Sequence, residues 1–156
     1  MSIFISIASY QDPLLASTIK SACMKASAEQ DLVFGVCDQS SSPMDASSLS
    51  KKAKIHYEHI DPILSKGPCW ARNRLQSFYQ GEDYFLQIDS HTLFDKNWDE
   101  ILIDQLRSLK GLSSEPYFSK PIITAYPRSF EVISIKDEKF KLNSTCLLYT
   151  SPSPRD

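Results

Sequence analysis

Apolar residues fall into short runs along this chain, and polar, turn-rich stretches separate them. Residues 3–8 (I-F-I-S-I-A) are apolar and rich in isoleucine, which predicts a strand. Ser9-Tyr10-Gln11-Asp12-Pro13 breaks that run, and Pro13 suits the first turn of a helix. Leu14, Leu15, Thr18, Ile19, Ala22 and Cys23 then recur at helical spacing, predicting a helix to about residue 28. Residues 31–38 (D-L-V-F-G-V-C-D) read as a second strand. The serine-rich stretch 39–50, with Pro43, reads as an exposed loop. Residues 55–60 (I-H-Y-E-H-I) alternate as a short strand, and Gly67-Pro68 precede a helix over 69–79. Residues 83–88 (D-Y-F-L-Q-I) read as a buried strand running into Asp89-Ser90-His91. A further helix opens at Lys96 or Asn97, with Trp98, Ile101, Leu102, Gln105 and Leu106 on one face. Residues 120–126 (K-P-I-I-T-A-Y) read as another strand.

Strands joined by helices imply βαβ units, an α/β class and a largely parallel sheet. In such sheets, ligands bind beyond the carboxyl ends of the strands. Three strand ends carry polar residues directly after an apolar run: Ser9 to Asp12, Cys37 to Gln39, and Asp89 to His91.

Composition narrows the class. The chain has 156 residues, enough for one core, and 42% hydrophobic residues rule out a wholly disordered chain. With 17 basic against 19 acidic residues, no basic excess draws it to nucleic acid or an anionic membrane. No apolar run approaches a membrane span of roughly 20 residues. The first eight residues are too short for a signal h-region and lack a basic n-region, so a cytoplasmic protein is expected. Cys23, Cys37, Cys69 and Cys146 show no metal or disulfide spacing and are expected as buried free thiols.

Asp89 and His91 give the sharpest chemical signal. Standing two apart after an apolar strand, both can turn toward one point, and a carboxylate with an imidazole suits Mn²⁺ or a related ion. The same spacing also describes a turn cap beside a surface histidine. At Gly67-Pro68, the following helix directs its amides and positive dipole end outward. Arg72 or Arg74 can add a bidentate contact to a phosphate. They lie about 200° apart around a helix, so at most one faces a ligand. Tyr10 and Asp12 can hold a nucleoside by stacking and a ribose hydrogen bond, or Asp12 can cap the helix after Pro13. Asp95, Asp99 and Glu100 read as solvated helix-terminal charge. His56 and His59 lie on opposite strand faces and are not read as metal ligands.

Four segments carry a family resemblance: I-F-I-S-I-A-S-Y-Q-D-P, V-F-G-V-C-D-Q, G-P-C-W-A-R, and G-E-D-Y-F-L-Q-I-D-S-H with W-D-E after it. Together they resemble the polypeptide N-acetylglucosaminyltransferase family, glycosyltransferase family 60, which includes a hydroxyproline GlcNAc transferase. The resemblance covers residues 2–126. It implies a GT-A nucleotide-diphospho-sugar transferase fold, a Rossmann-like mixed sheet flanked by helices. It implies a UDP-GlcNAc donor, a polypeptide or glycan acceptor, and transfer with retention to a hydroxyl of hydroxyproline or Ser/Thr. Asp89 and His91 match the family's variant of the D-x-D motif and would bind Mn²⁺, or Mg²⁺, with the donor diphosphate. Ser9, Tyr10 and Asp12 match the first nucleotide-binding loop. Arg72 matches the A-R of a helix that closes over the nucleotide.

The match fades after Tyr126-Pro127, so residues 1–143 are expected to be a partial donor-binding domain from the front of a larger enzyme. A catalytically incomplete nucleotide-sugar-binding module is the alternative. Residues 145–156 (T-C-L-L-Y-T-S-P-S-P-R-D) resemble a translated sequencing-adapter artefact, and 144–156 are expected to be a non-native or disordered tail.

Overall fold

The computed structural model describes residues 1–27, 29–110, 121–125 and 127–143. The expected tail at 144–156 and Cys146 lie outside the described residues. The chain divides into two compact units, Met1–Ile122 and Ile123–Asp156.

In the first unit, β1 (Ser2–Tyr10), α1 (Leu15–Lys25), β2 (Asp31–Gln39), β3 (Lys54–Ile60), α2 (Pro68–Gln76), β4 (Tyr84–Asp89) and α3 (Trp98–Lys110) follow in order. The four strands form one sheet in the order β3-β2-β1-β4, and every pair is parallel. The pleat sorts β1 into two faces. Ile3, Ile5 and Ile7 join Leu32, Phe34 and Val36 of β2 in a core with Leu15, Ile19 and Ala22 of α1 and Trp98 and Ile103 of α3. The opposite face carries a second cluster, in which Cys37 and Ala8 pack with Ala71 and Leu75 of α2. Phe4 also faces that side, in edge contact with Tyr79 and tilted against Phe85 at 5.3 Å. Gly35 makes this packing feasible, since a Cβ there would lie 2.5 Å from Phe4 Cζ.

Helix starts and ends follow local chemistry. The Asp12 carboxylate accepts from Leu14 N (2.9 Å) ahead of α1, so Pro13 sits in the turn just before the helix rather than in its first turn. Gly67 at the N-cap of α2 takes φ +87, which favours glycine, and Pro68 follows at the first helical position. α3 is docked by main-chain and side-chain bonds to the end of α1: Asn97 N donates to Lys25 O (2.7 Å) and Trp98 Nε1 to Ala22 O (3.0 Å).

Several expectations need correction. Asp99 is not solvated charge: it is fully buried and accepts from Ser27 N (2.8 Å) and Ser27 Oγ (2.6 Å). On α3, Ile101 is exposed and Ile103 buried, because the inward face is set by Asp99, Leu102, Ile103 and Leu106 at helical spacing. Gln105 is exposed with Ile101. β4 alternates half-buried with exposed positions instead of being buried throughout, since it stands at the edge of the described sheet. Gln39 belongs to β2 and is buried, not part of the exposed loop. Cys37 is buried, Cys23 half-buried and Cys69 exposed, all three free. Residues 121–125 form no strand, and the ends of that expected run, 120 and 126, lie outside the described residues. Ile122 is exposed, so its β-branched side chain has no pleated surface to pack on.

The second unit holds an antiparallel hairpin of β5 (Phe130–Ser134) and β6 (Lys139–Leu142). Phe130 and Phe140 meet edge to face at 5.5 Å, and Glu138 takes the left-handed turn position at φ 50. The apolar–polar alternation of F-E-V-I-S and K-F-K-L around I-K-D-E is the sequence signal for it. No described helix is long and apolar enough to cross a membrane.

Candidate functional site

The carboxyl edge of the parallel sheet gathers the end of β1, the end of β2, the start of α2 and the turn after β4. Asp12 is the junction. Its Oδ2 accepts from Ser90 Oγ (2.6 Å) and His91 Nδ1 (2.8 Å), joining the β1–α1 loop to the D-S-H turn. Burial alone would raise the Asp12 carboxyl. The hydrogen bonds from Ser90, His91 and Leu14 outweigh it and hold the group below its ordinary value. α1 secures the same turn from below: Thr18 Oγ1 donates to Ser90 O (2.7 Å) and accepts from Thr92 N (3.0 Å).

Asp89 is the last residue of β4, so the pleat directs its side chain with Gln87 toward the α2 side. There it accepts from Arg72 Nη2 at 3.2 Å. His91, two residues on and beyond the strand, reaches Asp12 instead. The side chains of Asp89 and His91 remain 64% and 60% exposed, so both are open to a ligand. Among the described residues, no three or more His, Cys, Asp or Glu side chains are grouped to hold a metal. The donor set is therefore an open one: a carboxylate, and an imidazole whose Nδ1 is already engaged.

Arg72 and Arg74 diverge as their helical spacing requires. Arg74 turns to Glu58 of β3, donating through Nε (3.0 Å) and Nη2, and it lies over the Trp70 ring at 5.1 Å. The hydrogen bond from Arg74 holds the Glu58 carboxyl below its ordinary value. Only Arg72 faces the D-S-H turn. Its Nε is buried without a hydrogen-bond partner among the described residues, as is Ser9 Oγ.

Two clefts open at this edge. One, of about 410 Å³, is lined by Ala8, Ser9, Tyr10, Gln39, Ser65 and the Gly67-Pro68 start of α2. The other, of about 350 Å³, runs between the Asp12 loop and the serine loop after β2. Tyr10 is 56% exposed beside the first, its ring free for stacking. Gln39 shapes that cleft: Nε2 donates to Ser9 O (2.9 Å) and Oε1 accepts from Ser65 Oγ (2.6 Å). Beside the second, the buried Asp38 accepts from Tyr57 Oη (2.6 Å), and Tyr57 Oη accepts from Met44 N (2.9 Å). Residue-level reading singled out Cys37 to Gln39 as a strand end but gave Gln39 no role. It missed Ser65, Thr18 and Ser90, whose partners lie 26 to 78 residues away in sequence. His56 stacks on Phe78 and His59 reaches Ser40 O, so neither joins the site.

Comparison with known proteins agrees with this architecture. A crystal structure of S. aureus TarS, residues 1–349, is similar to the chain with a TM-score of 0.52 and 16% sequence identity. The similarity covers 70% of this chain and 33% of that one, so this chain spans about a third of the length of that 1–349 chain. The fold is the GT-A arrangement expected from the sequence, except that among the described residues the four-stranded sheet is wholly parallel rather than mixed, and the antiparallel β5–β6 pair is a separate two-stranded sheet. No curated protein matches the chain. The model of the glycosyltransferase family named for GlcNAc matches residues 2–55 and 44–152. By that match the chain belongs to the GlcNAc glycosyltransferase family.

Proposed function

We propose that this chain is the donor-binding part of a metal-dependent, retaining glycosyltransferase. In this reading it moves N-acetylglucosamine from UDP-GlcNAc to a polypeptide hydroxyl, that of hydroxyproline or of Ser/Thr. One observation carries it: the Arg72–Asp89 pair and the Asp12–Ser90–His91 cluster stand on one turn at the carboxyl edge of a parallel sheet in a chain of this family. The polypeptide acceptor rests on the sequence resemblance.

Transfer breaks the bond between the sugar's anomeric carbon and a diphosphate oxygen. Negative charge grows on the leaving diphosphate and positive charge on the sugar ring. A divalent cation, Mn²⁺ or Mg²⁺, would neutralise the diphosphate as a Lewis acid. Asp89 and His91 fit such an ion as an open pair, with diphosphate oxygens and water completing the shell. Arg72 gives Asp89 one of its five N–H groups, and the remaining Nη hydrogens suit diphosphate oxygens. The cleft beside Tyr10 and Gln39 suits the nucleoside, with the Tyr10 ring as stacking surface and Ser9 at the cleft wall.

Calorimetry with UDP and UDP-GlcNAc in Mn²⁺ tests the assignment. Wild type should bind, and Asp89→Ala should abolish the Mn²⁺-dependent part while leaving stability within about 1 kcal/mol, since the Arg72–Asp89 pair is exposed. Unchanged UDP affinity in the variant would remove Asp89 from the site. Transfer from labelled UDP-GlcNAc to hydroxyproline and Ser/Thr peptides tests the acceptor. Donor binding without turnover would favour a nucleotide-sugar-binding module.

A further inference from the structure

We infer that Asp12 is a positioning residue that acts through His91. It fixes the tautomer in which Nδ1 carries the proton and Nε2 presents its lone pair to the ligand. This rests on the reading of Asp89 and His91 as cation ligands and gives Asp12 a role distinct from a ribose contact.

The geometry leaves little latitude. The Asp12 side chain is only 14% exposed, against 60% for His91, so the acceptor is the anchored partner and the imidazole the outward one. Oδ1 is taken by Leu14 N (2.9 Å), and Oδ2 by Ser90 Oγ (2.6 Å) and His91 Nδ1 (2.8 Å). An ionised carboxylate only accepts hydrogen bonds, so the neutral imidazole must donate from Nδ1. Nε2 is then the unprotonated nitrogen, the form that ligates a metal. In water the opposite tautomer of a neutral imidazole predominates, so without Asp12 the ligand nitrogen would mostly carry hydrogen. The main chain of the turn is secured separately by Thr18, through Ser90 O and Thr92 N. Thr18 therefore holds the backbone, and Asp12 sets the side chains of Ser90 and His91.

Two-bond ¹H–¹⁵N correlation on the full chain, without metal and well above the imidazole pKa, reads the tautomer directly. His91→Gln identifies the His91 signals among the three histidines. Wild type should show a protonated Nδ1 and a pyridine-like Nε2. Asp12→Ala should shift His91 toward the Nε2-protonated form and weaken Mn²⁺ binding in the presence of UDP by about 10- to 100-fold. Asp12→Asn keeps an acceptor oxygen for His91 but loses the Leu14 bond, so it should lose stability yet keep the tautomer. That split separates positioning from a merely structural role. A wild-type His91 protonated at Nε2, or a tautomer unmoved in Asp12→Ala, overturns the inference, and the wild-type measurement stands even if the variant fails to fold. The expected tautomer in a wild type that binds no Mn²⁺ with UDP would instead overturn the cation site itself.

Discussion

The two faces of the parallel sheet are built from different chemistry. Under α1 and α3 the strands present Ile3, Ile5, Ile7, Leu32, Phe34 and Val36, all buried and apolar. Under α2 they present Phe4, Ser6, Gly35, Cys37, His56 and Glu58, and at the sheet edge Gln87 and Asp89. On that second side Ser6 Oγ, His56 Nε2 and Arg72 Nε are buried without hydrogen-bond partners among the described residues. The apolar face thus supplies stability through burial, and the α2 face carries the arginine and the aspartate that reach the site.

The largest effect should come from the apolar face. Phe34 is fully buried, and Phe34→Ala should destabilise the chain by about 3–5 kcal/mol through lost transfer energy and a cavity. Against a typical total of about 5–15 kcal/mol, that threatens folding itself. Denaturant unfolding checks it. A loss no larger than that of Asp89→Ala would mean the two faces do not divide the work as described.

A smaller effect tests the α2 face as a packing surface. Gly35→Val places a side chain where the Phe4 ring lies, and displacing that ring from Tyr79 and Phe85 should cost about 1–3 kcal/mol. Phe4→Leu in the same chain should return part of the loss, because the two positions are in contact. Strictly additive losses in the double variant would place the strain elsewhere.

These positions also mark how far the sequence could be read. β1 and β2 are legible because their apolar runs bury both faces, and the divergence of Arg72 from Arg74 follows from helical geometry alone. Asp12 was legible as a turn residue, since its bond to Leu14 is two residues away, although Leu14 and not Asp12 is the N-cap of α1. Its bonds to Ser90 and His91 were not, because they exist only once β1 and β4 lie side by side. Asp99 misled for the same reason: an acid in the first turn of a helix usually faces water, and nothing local points to Ser27. The β5–β6 hairpin was within reach of period-two alternation, whereas residues 121–125 show that β-branched residues without a packing surface make no strand.

The smallest expected effect concerns the polar link at the edge of the apolar face. Tyr57 sits level with Val36, and its hydroxyl donates to the buried Asp38. Burial, together with the hydrogen bond to Asp38, pushes the Tyr57 phenol from 10 up to about 12. A folded-state pKa above the unfolded one means the folded chain holds its proton longer. The contribution is complete below pH 10 and is lost as pH climbs from 10 toward 12. Wild type should therefore be more stable than Tyr57→Phe at neutral pH, where the variant leaves Asp38 without its donor. The gap between them should narrow through that alkaline window, with lysine titration common to both. Parallel unfolding series across the window decide it. A gap that stays constant would mean that the Tyr57 hydroxyl does not contribute through its bond to Asp38, leaving the apolar face to hold the sheet without a polar tie at its edge.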